Sequence, residues 1–275
     1  MNLKGCTMHD LTDRAYLRGE QYRDGRNLDA RVRLHQQFSV NPESPSRWII
    51  QRLRPDASGH VLELGCGPGH FWRDTRDLRP AGWWVLCTDL SPGMVAEARA
   101  ALAGEAGISF AAADAQALPF SDASFDVVMA NFMLYHVPDR PRALAEARRV
   151  LRPGGQFAAA TVGRRHMGGL RELVRRFIPD LPPEAAAQSD HFLLENAVEQ
   201  LEPFFDEVQL ERQPNALVVT EAAPLVEYAL SLWSYREVLA GREQAFTEFV
   251  EEEIAASGAI QIAKEIGLLT GRRPS

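Results

Sequence analysis

A glycine-rich segment that begins at Glu63 carries the strongest chemical signal in this sequence. Glu63, Gly65, Gly67 and Gly69 alternate with other residues directly after an apolar stretch. Glycines let a backbone turn sharply and approach a ligand closely, because no Cβ stands in the way. The N–H groups at the start of a following helix suit a carboxylate or a phosphate. The segment therefore predicts a ligand-binding loop, of a kind that more than one class of protein uses.

The residues around the glycines separate these classes. A dinucleotide-binding loop has its third glycine three positions after the second, and His70 occupies that position here, although Gly69 lies one earlier. Pro68 also stands inside the loop. Two further carboxylates, Asp89 and Asp114, each follow an apolar stretch farther along the chain. A carboxylate can accept hydrogen bonds from a ligand's hydroxyl or amino groups, and we favour that role over two solvated turns.

His136 is the candidate general base. It lies shortly after another apolar stretch, and an imidazole titrates near neutral pH. A base is needed only when the attacking atom carries a proton, and a positional or core histidine explains His136 equally well. Tyr135, Tyr16, Tyr22 and His35 are weaker candidates for the same role.

Three cysteines, Cys6, Cys66 and Cys87, show neither the spacing of a metal site nor an even-numbered disulfide framework. We therefore expect no metal ion. Cys66 lies inside the glycine loop, and nothing in the sequence supplies a base or an electropositive surround for it. A small residue filling a tight turn is the expected role of Cys66.

Strands and helices alternate from residue 60 onward, and these elements must position the polar side chains. Short apolar stretches predict strands over residues 61–64, 83–88, 108–112, 125–130 and 156–161. Helices are predicted over residues 92–102 and 140–151. Such alternation predicts an α/β fold, with a parallel sheet and helices on both faces. Ligands bind such sheets where strand order reverses, at the carboxyl ends of the strands, so the polar residues above should share one cleft.

The flanking segments predict further elements without a chemical motif. Helices are expected over residues 27–38, 46–53, 195–205 and most of 221–249, extended stretches over 208–212 and 217–219, and a terminal strand or hairpin within 260–271. The long helical stretch is expected to be a lid or a dimer contact, and its Leu232, Trp233 and Tyr235 are interpreted as core. The arginine cluster at 164, 165, 171, 175 and 176 favours a solvated helix face over an anion site.

Composition limits the classes of partner. The 275 residues are 45% hydrophobic and 24% charged, which is typical of a globular protein. A net charge of −7 argues against nucleic acid as the main partner, since phosphates are neutralised by Lys and Arg. No apolar run approaches the ~20 residues of a membrane span, and the first residues lack the apolar run of a signal peptide. We therefore expect a cytoplasmic protein.

Four segments together resemble class I S-adenosylmethionine-dependent methyltransferases. Residues 61–69 (Val-Leu-Glu-Leu-Gly-Cys-Gly-Pro-Gly) resemble the first family motif, and 88–91 (Thr-Asp-Leu-Ser) with Met94 resemble the second. Residues 114–120 (Asp-Ala-Gln-Ala-Leu-Pro-Phe), followed by 125–128, resemble the third-strand loop and the fourth strand. Residues 151–155 (Leu-Arg-Pro-Gly-Gly) resemble the turn after the core. The resemblance covers residues 48–162, with a weaker echo at 195–208, and is closest to the small-molecule enzymes of ubiquinone and menaquinone biosynthesis.

The resemblance implies S-adenosylmethionine as the cofactor and assigns roles to matched residues. The cofactor-binding residues it implies are Glu63, Gly65, Cys66, Gly67, Asp89, Leu90, Met94, Asp114, Ala115 and Asn131. Of these, Gly65 and Gly67 would contact the methionyl part. Asp89 would accept from both ribose hydroxyls, and Asp114 from the adenine amino group. Leu90 and Met94 would line the adenine, the Ala115 N–H would reach an adenine ring nitrogen, and Asn131 would lie near the amino or methyl end.

The resemblance also implies a fold and a division of the chain. The expected fold is a Rossmann-like, doubly wound, seven-stranded and mostly parallel sheet, with an N-terminal helical cap and a C-terminal helical insertion. Residues 1–47 would form the cap, 48–162 the cofactor-binding core, and 163–275 the rest of the sheet with a helical lid.

The expected reaction is methyl transfer to O, N or C of a small molecule by in-line displacement. Asn-Phe-Met-Leu follows the fourth strand instead of an Asn-Pro-Pro-Tyr-type tetrapeptide, which disfavours nucleobases and glutamine amides as acceptors. Two alternatives stay open, a nicotinamide-dependent dehydrogenase of similar fold and a non-catalytic protein that binds S-adenosylmethionine. The acceptor, the need for a base, and a homodimer also stay open.

Overall fold

The computed structural model describes residues 26–53, 58–181 and 191–275, together with Thr12. The sequence candidates Tyr16 and Tyr22, and Cys6, lie outside these residues. Among the helices described, none is both long enough and apolar enough to cross a membrane.

A central sheet of seven strands organises the described part of the chain. In chain order, the strands of the described residues are β1 (His60–Leu64), β2 (Trp84–Asp89), β3 (Ile108–Ala112), β4 (Phe125–Asn131), β5 (Leu151–Val162), β6 (Asp206–Gln213), β7 (Ala216–Val219), β8 (Ile260–Ala263) and β9 (Ile266–Arg272). The order in the central sheet is β3-β2-β1-β4-β5-β9-β6, and β7 pairs with β8 separately. Among the seven strands described in this sheet, six run in the same direction and β9 runs antiparallel to them. The predicted fold class is confirmed.

Helices connect the strands. They are α1 (Arg26–Phe38), α2 (Pro45–Ile50), α3 (His70–Asp74), α4 (Pro92–Ala101), α5 (Arg140–Val150), α6 (Gly168–Phe177), α7 (Ala197–Leu201), α8 (Ala222–Ser231), α9 (Trp233–Leu239) and α10 (Glu243–Ser257). Of these, α2, α4 and α5 begin at a side-chain cap. At the start of α4, the Ser91 hydroxyl accepts the N–H of Met94 and Pro92 occupies the first turn. This cap fixes the chain directly after Asp89.

Successive residues of β1 and β4 point to opposite faces of the sheet, and both faces are covered. Leu62 and Val128 pack in one apolar core with α5 and α7. Val61 and Val127 pack in the other with α2, α3 and α4. A strand covered on both faces is apolar throughout, which is why β4 shows little alternation. The two cores hold the carboxyl ends of β1 and β4 in fixed positions.

A third apolar core lies beside the sheet and belongs to the cap, which we define as α1, α6, α8, α9, α10, β7 and β8. It contains Leu34, Leu170, Leu225, Phe246 and Ile262, one from each of five cap elements. The cap therefore joins segments from both ends of the described chain. On its surface, Arg31 of α1 donates to the hydroxyl and the carbonyl of Ser231, at 3.1 and 2.9 Å.

Two predicted elements differ from the structure. The helix predicted over residues 195–205 is confined to Ala197–Leu201, and Pro203 has no backbone N–H with which to continue it. Residues 260–271 form neither one strand nor a hairpin. β8 pairs with the edge of β7 in the cap. β9 instead pairs with β5 on one side and β6 on the other, in the central sheet. Lys264 lies at the crossing between the two sheets.

Candidate functional site

The glycine loop lies where strand order reverses. β1 has β2 on one side and β4 on the other, so the loops after β1 and β4 leave the sheet in adjacent positions. Gly65 has a φ of +69°, and a Cβ added to it would lie 2.8 Å from the Cβ of Met133. A side chain at position 65 would therefore collide with the segment after β4. The loop holds a glycine here because the Met133 side chain occupies the space that a Cβ would need.

Asp89 ties the glycine loop to the start of α4. Its Oδ2 accepts the N–H of Gly67 at 2.9 Å, and its Oδ1 accepts the N–H of Ser91 at 2.8 Å. Burial raises the pKa of this carboxyl, and the backbone hydrogen bonds oppose that rise. Each carboxylate oxygen can accept more than one hydrogen bond, so the fixed carboxylate retains capacity for two ligand hydroxyls.

Gln116 holds the Asp114 carboxylate in place after β3. Oδ1 of Asp114 accepts from the backbone N–H of Gln116 at 3.0 Å and from its side-chain Nε2 at 3.2 Å. Gln116 is buried, and its Oε1 accepts the N–H of Asp139 at 3.0 Å. Gln116 thus orients Asp114, a role that the sequence motif did not suggest. Ala115 is buried beside it.

Glu63 is an interior carboxyl beneath the loop. It is 1% exposed, and its Oε2 accepts the indole N–H of Trp72 at 2.7 Å. Burial raises the pKa of Glu63 to about 7, and the hydrogen bond from Trp72 opposes the rise. Asn131 lies close enough to lower that pKa, yet neither of its buried amide atoms makes a hydrogen bond of regular geometry among the described residues. Asn131 also lines a cavity beside the glycine loop.

Cys66 and the apolar site residues line the same region. The Cys66 thiol is buried and shares a hydrogen bond with Cys87, which raises its pKa, as burial also does. A raised pKa disfavours the thiolate, so Cys66 is unsuited to act as a nucleophile. Met94 is buried and Leu90 is half-buried.

His136 ends a 3₁₀ helix, Leu134–His136, that follows β4. Phe132 has a φ of +53°, which turns the chain back over the end of the sheet. The rings of Tyr135 and His136 meet edge to face, 4.5 Å apart. Both side chains are half-buried and line the site. The position of His136 suits a general base, and that role stays a prediction.

One continuous cavity of about 1390 Å³ contacts all eleven predicted site residues. These are Glu63, Gly65, Cys66, Gly67, Asp89, Leu90, Met94, Asp114, Ala115, Asn131 and His136. Cavities for a single ligand typically measure ~300–1,000 Å³, so this one has room for a cofactor and a second molecule. The structure thus brings the predicted residues together, whereas their individual roles stay predictions.

The cap supplies the remaining walls, including residues that the sequence interpretation missed or placed elsewhere. Tyr235 belongs to the cap core and Leu232 packs against it, as interpreted. Both also line the cavity together with Trp233, as does the weaker candidate His35. In the arginine cluster, Arg171 lines the cavity, and the other four arginines are exposed. The missed residues are Arg31, His166, Tyr228 and Lys264. For Lys264 a signal existed, because the chain has only two lysines beside 28 arginines.

Comparison with known proteins relates these motifs to a family. Malonyl-[acyl-carrier protein] O-methyltransferase of Erwinia pyrifoliae is 37% identical over 125 residues, which are 46% of this chain and 44% of that protein. The ubiquinone/menaquinone biosynthesis C-methyltransferase of Acidiphilium cryptum is 35% identical over 134 residues, 48% of this chain and 53% of that protein. The chain thus spans about half the length of these curated relatives.

The fold is shared with solved structures. Phosphoethanolamine N-methyltransferase 2 of Haemonchus contortus, solved with S-adenosyl-L-methionine, superposes with a TM-score of 0.60 at 19% identity, covering 95% of this chain and 60% of that one. The family model described as a methyltransferase domain matches residues 62–159. The predicted family, enzyme class and cofactor are confirmed at the level of this domain. Residues 62–159 of the chain form a class I S-adenosylmethionine-dependent methyltransferase domain.

Proposed function

We propose that the whole protein is a methyltransferase that transfers a methyl group from S-adenosylmethionine to a small-molecule acceptor. One observation carries the proposal: the glycine loop and the Asp89 carboxylate open into a cavity larger than one ligand requires. In this proposal residues 48–162 bind the cofactor, and residues 1–47 and 163–275 supply the cap and the acceptor walls. A cytoplasmic location and a homodimer stay predictions.

The site residues fit S-adenosylmethionine in their donors, acceptors and space. Gly65 and Gly67 line the cavity without side chains, at the place where we put the methionyl part of the cofactor. Asp89 presents a carboxylate whose orientation two backbone N–H groups fix. Asn131 offers an amide without a regular partner beside Glu63, a pair suited to an amino group. When bound, S-adenosylmethionine supplies a methyl group already activated on a sulfonium.

The chain's own contribution to such a transfer is alignment. The loop, Asp89 and Asp114 fix one ligand, and the cap walls confine the other. Holding two reactants in line can lower a barrier by ~7–11 kcal/mol without any acid or base. The Cys66 thiol, with its raised pKa, takes no part in this scheme.

His136 would act as a base only for an acceptor that must lose a proton. In that case His136→Asn should lower kcat by roughly 10²–10⁴-fold with a small change in KM, because the imidazole would act in the transition state. Steady-state kinetics with a protonated acceptor measure this split. An unchanged kcat would assign His136 a positional role.

The names of the relatives narrow the chemical class of the methyl acceptor but do not identify the acceptor. One relative is named an O-methyltransferase that acts on a malonyl group, and the other a C-methyltransferase of quinone biosynthesis. Both names describe metabolites or carrier-bound metabolites. They support a small-molecule acceptor here and leave O, N or C open.

Asp89→Ala tests the cofactor site. We expect S-adenosylhomocysteine to bind the wild type and to lose at least tenfold in affinity in the variant, because two charge-assisted hydrogen bonds disappear. Isothermal titration calorimetry measures the affinity, and circular dichroism checks that the variant folds. NAD⁺ serves as the negative ligand. Equal affinity of both proteins for S-adenosylhomocysteine would contradict the assignment.

A further inference from the structure

The cap lines one part of the cavity with polar groups that lie outside the matched domain. His35 and Ser39 belong to α1 and the residue after it, His166 lies between β5 and α6, and Lys264 lies between β8 and β9. We call these four residues the Lys264 subsite. The proposed cofactor contacts use none of them.

Lys264 places a cation inside the protein without a counter-ion. It is 3% exposed, and its Nζ donates to the neutral hydroxyl of Ser39 at 3.1 Å. Its sequence neighbour Glu265 pairs instead with Arg165, at 2.7 Å. Among the described residues, no carboxylate forms an ion pair with Lys264. A buried charge without a partner is unfavourable, so a site that retains one usually serves a ligand of opposite charge.

Burial lowers the pKa of Lys264 to about 8. The ammonium form therefore still predominates at neutral pH. The groups that face it are His35 and His166, and the guanidinium groups of Arg31 and Arg171 also line the cavity. None of these four can supply a negative charge.

Two imidazoles complete the subsite. The rings of His35 and His166 lie 6.2 Å apart, and the Nδ1 atom of each is buried without a hydrogen-bond partner in the described part of the chain. Burial and then the charge of Lys264 lower the pKa of both, that of His166 to about 3. Each ring is therefore neutral and carries one N–H. The backbone of Glu265 already accepts a hydrogen bond from the His166 ring, which leaves the N–H of His35 for a ligand. The Tyr228 ring packs edge-on against His35 and holds its plane.

We propose that the Lys264 subsite binds an anionic group of the methyl acceptor, a carboxylate or a phosphate. An anion would form a charge-assisted hydrogen bond with the ammonium and accept the N–H of the His35 imidazole. A neutral acceptor would leave the buried cation unpaired, and a cationic acceptor would be repelled. That the anionic group belongs to a methyl acceptor rests on the proposed function, whereas the anion site itself rests on these residues alone.

The first experiment uses the unusual lysine content of the chain. Protein labelled with [ε-¹³C]lysine should give two side-chain resonances, from Lys4 and Lys264. Lys264→Arg, which keeps the charge, assigns the second resonance by its absence. The wild type, saturated with S-adenosylhomocysteine, is titrated with benzoate, inorganic phosphate and, as the neutral counterpart of benzoate, benzamide.

We expect benzoate or phosphate to shift the Lys264 resonance in a saturable way. Benzamide should shift neither resonance, and the Lys4 resonance should stay in place in every titration. The anion that saturates at the lower concentration identifies the acidic group. A Lys264 resonance that neither anion moves would overturn the proposal. If S-adenosylhomocysteine does not bind the wild type, the proposed function fails, and the same titration without it still tests the anion site.

The second experiment measures affinity by calorimetry in a charge-matched pair. Lys264→Met should lose at least tenfold in affinity for the better anion and keep its affinity for S-adenosylhomocysteine. Arg175→Gln removes one positive charge from an exposed position on α6 outside the cavity and should keep both affinities. Equal anion affinity in Lys264→Met and wild type contradicts the proposal. Should Lys264→Met fail to fold, the titration of labelled wild type decides alone.

Discussion

Glu63 shows how one residue can serve a site and weaken the fold at the same time. Its carboxyl has no access to solvent, and only the Trp72 indole donates to it with regular geometry among the described side chains. The folded protein holds the Glu63 proton up to about pH 7, whereas an unfolded chain releases it near pH 4.5. Between these values the folded state binds more protons, so the free energy of unfolding falls as pH rises.

Glu63→Gln should remove this pH dependence. A glutamine amide can still accept from Trp72 and carries no charge at any pH. From pH 5 to pH 8 the wild type should lose roughly 2–3 kcal/mol relative to the variant, because each pH unit that separates the folded and unfolded pKa values corresponds to about 1.36 kcal/mol. Urea unfolding at four pH values without added cofactor measures the difference. Glu199→Gln, which changes an exposed carboxyl, is the control and should parallel the wild type. Parallel curves for Glu63→Gln would show that Glu63 ionises normally.

Single residues differ in how well the sequence reveals them. The shared location of Asp89 and Asp114 in one cleft was predictable, because each lies at the end of a strand and parallel strands end at the same edge of a sheet. Lys264 stands out in the sequence as one of only two lysines, but its place in the cavity was not predictable, since that place depends on which strands β8 and β9 join. His35 and His166 are 131 positions apart and meet only through the cap core.

At the scale of elements, the loops after β1 and β4 lie so close together that a residue larger than glycine at position 65 would disturb the site. The Cβ and Cγ of Met133 lie 2.8 and 2.9 Å from the position of a Cβ on Gly65. Real Cβ contacts do not reach such distances, so a larger residue must displace the segment that leads to His136. The position of the Met133 side chain, and not only loop flexibility, explains this glycine.

Gly65→Ala should therefore destabilise the protein more than backbone strain alone requires. Gly104, between α4 and β3, has a φ of +87° and nothing within 4 Å of an added Cβ, so Gly104→Ala isolates the strain of about 1–2 kcal/mol. We expect Gly65→Ala to lose a further ~1–3 kcal/mol from overpacking and at least tenfold in S-adenosylhomocysteine affinity. Gly104→Ala should keep that affinity. Urea unfolding and calorimetry measure both, and equal losses in the two variants would contradict the close approach.

Element boundaries followed from local signals wherever those signals were complete. β3 coincides with its predicted residues, and α4 begins at its predicted serine and proline cap. The three helices between 222 and 257 could be predicted as helical but not as three. Their breaks fall at Leu232 and around Gly241, which has a φ of +74°. Pairing of β9 between β5 and β6 depends on contacts across more than fifty residues, which periodicity does not encode.

At the scale of the molecule, the cavity is lined by residues held in place by three apolar cores, the two on the faces of the sheet and the one in the cap. The sheet cores fix the glycine loop, Asp89 and Asn131, and the cap core fixes α1. α1 reaches the loop directly, because Asp29 lies 2.9 Å from the Nε2 of His70 and Leu28 lies 3.5 Å from the position of a Cβ on Gly67. A ligand in the cavity would contact both units.

Cofactor binding should therefore slow hydrogen exchange in the cap as well as in the loop. Hydrogen-exchange mass spectrometry would compare the protein with and without S-adenosylhomocysteine at about 100 times its Kd, where binding stabilises by about 2.7 kcal/mol. Peptides covering residues 63–69 and 28–38 should slow by up to about 100-fold, if their opening requires release of the ligand.

The helix Glu243–Ser257 is the internal reference for that experiment. It belongs to the same cap core but contributes no residue to the cavity, so its exchange should stay unchanged. Slowing of the loop without slowing of α1 would mean that the cap contacts the acceptor and does not contact the cofactor. Equal slowing of all three segments would mean that the ligand stabilises the whole fold and that the cap does not open separately. Selective slowing of the loop and α1 would support a cap that closes over the bound cofactor.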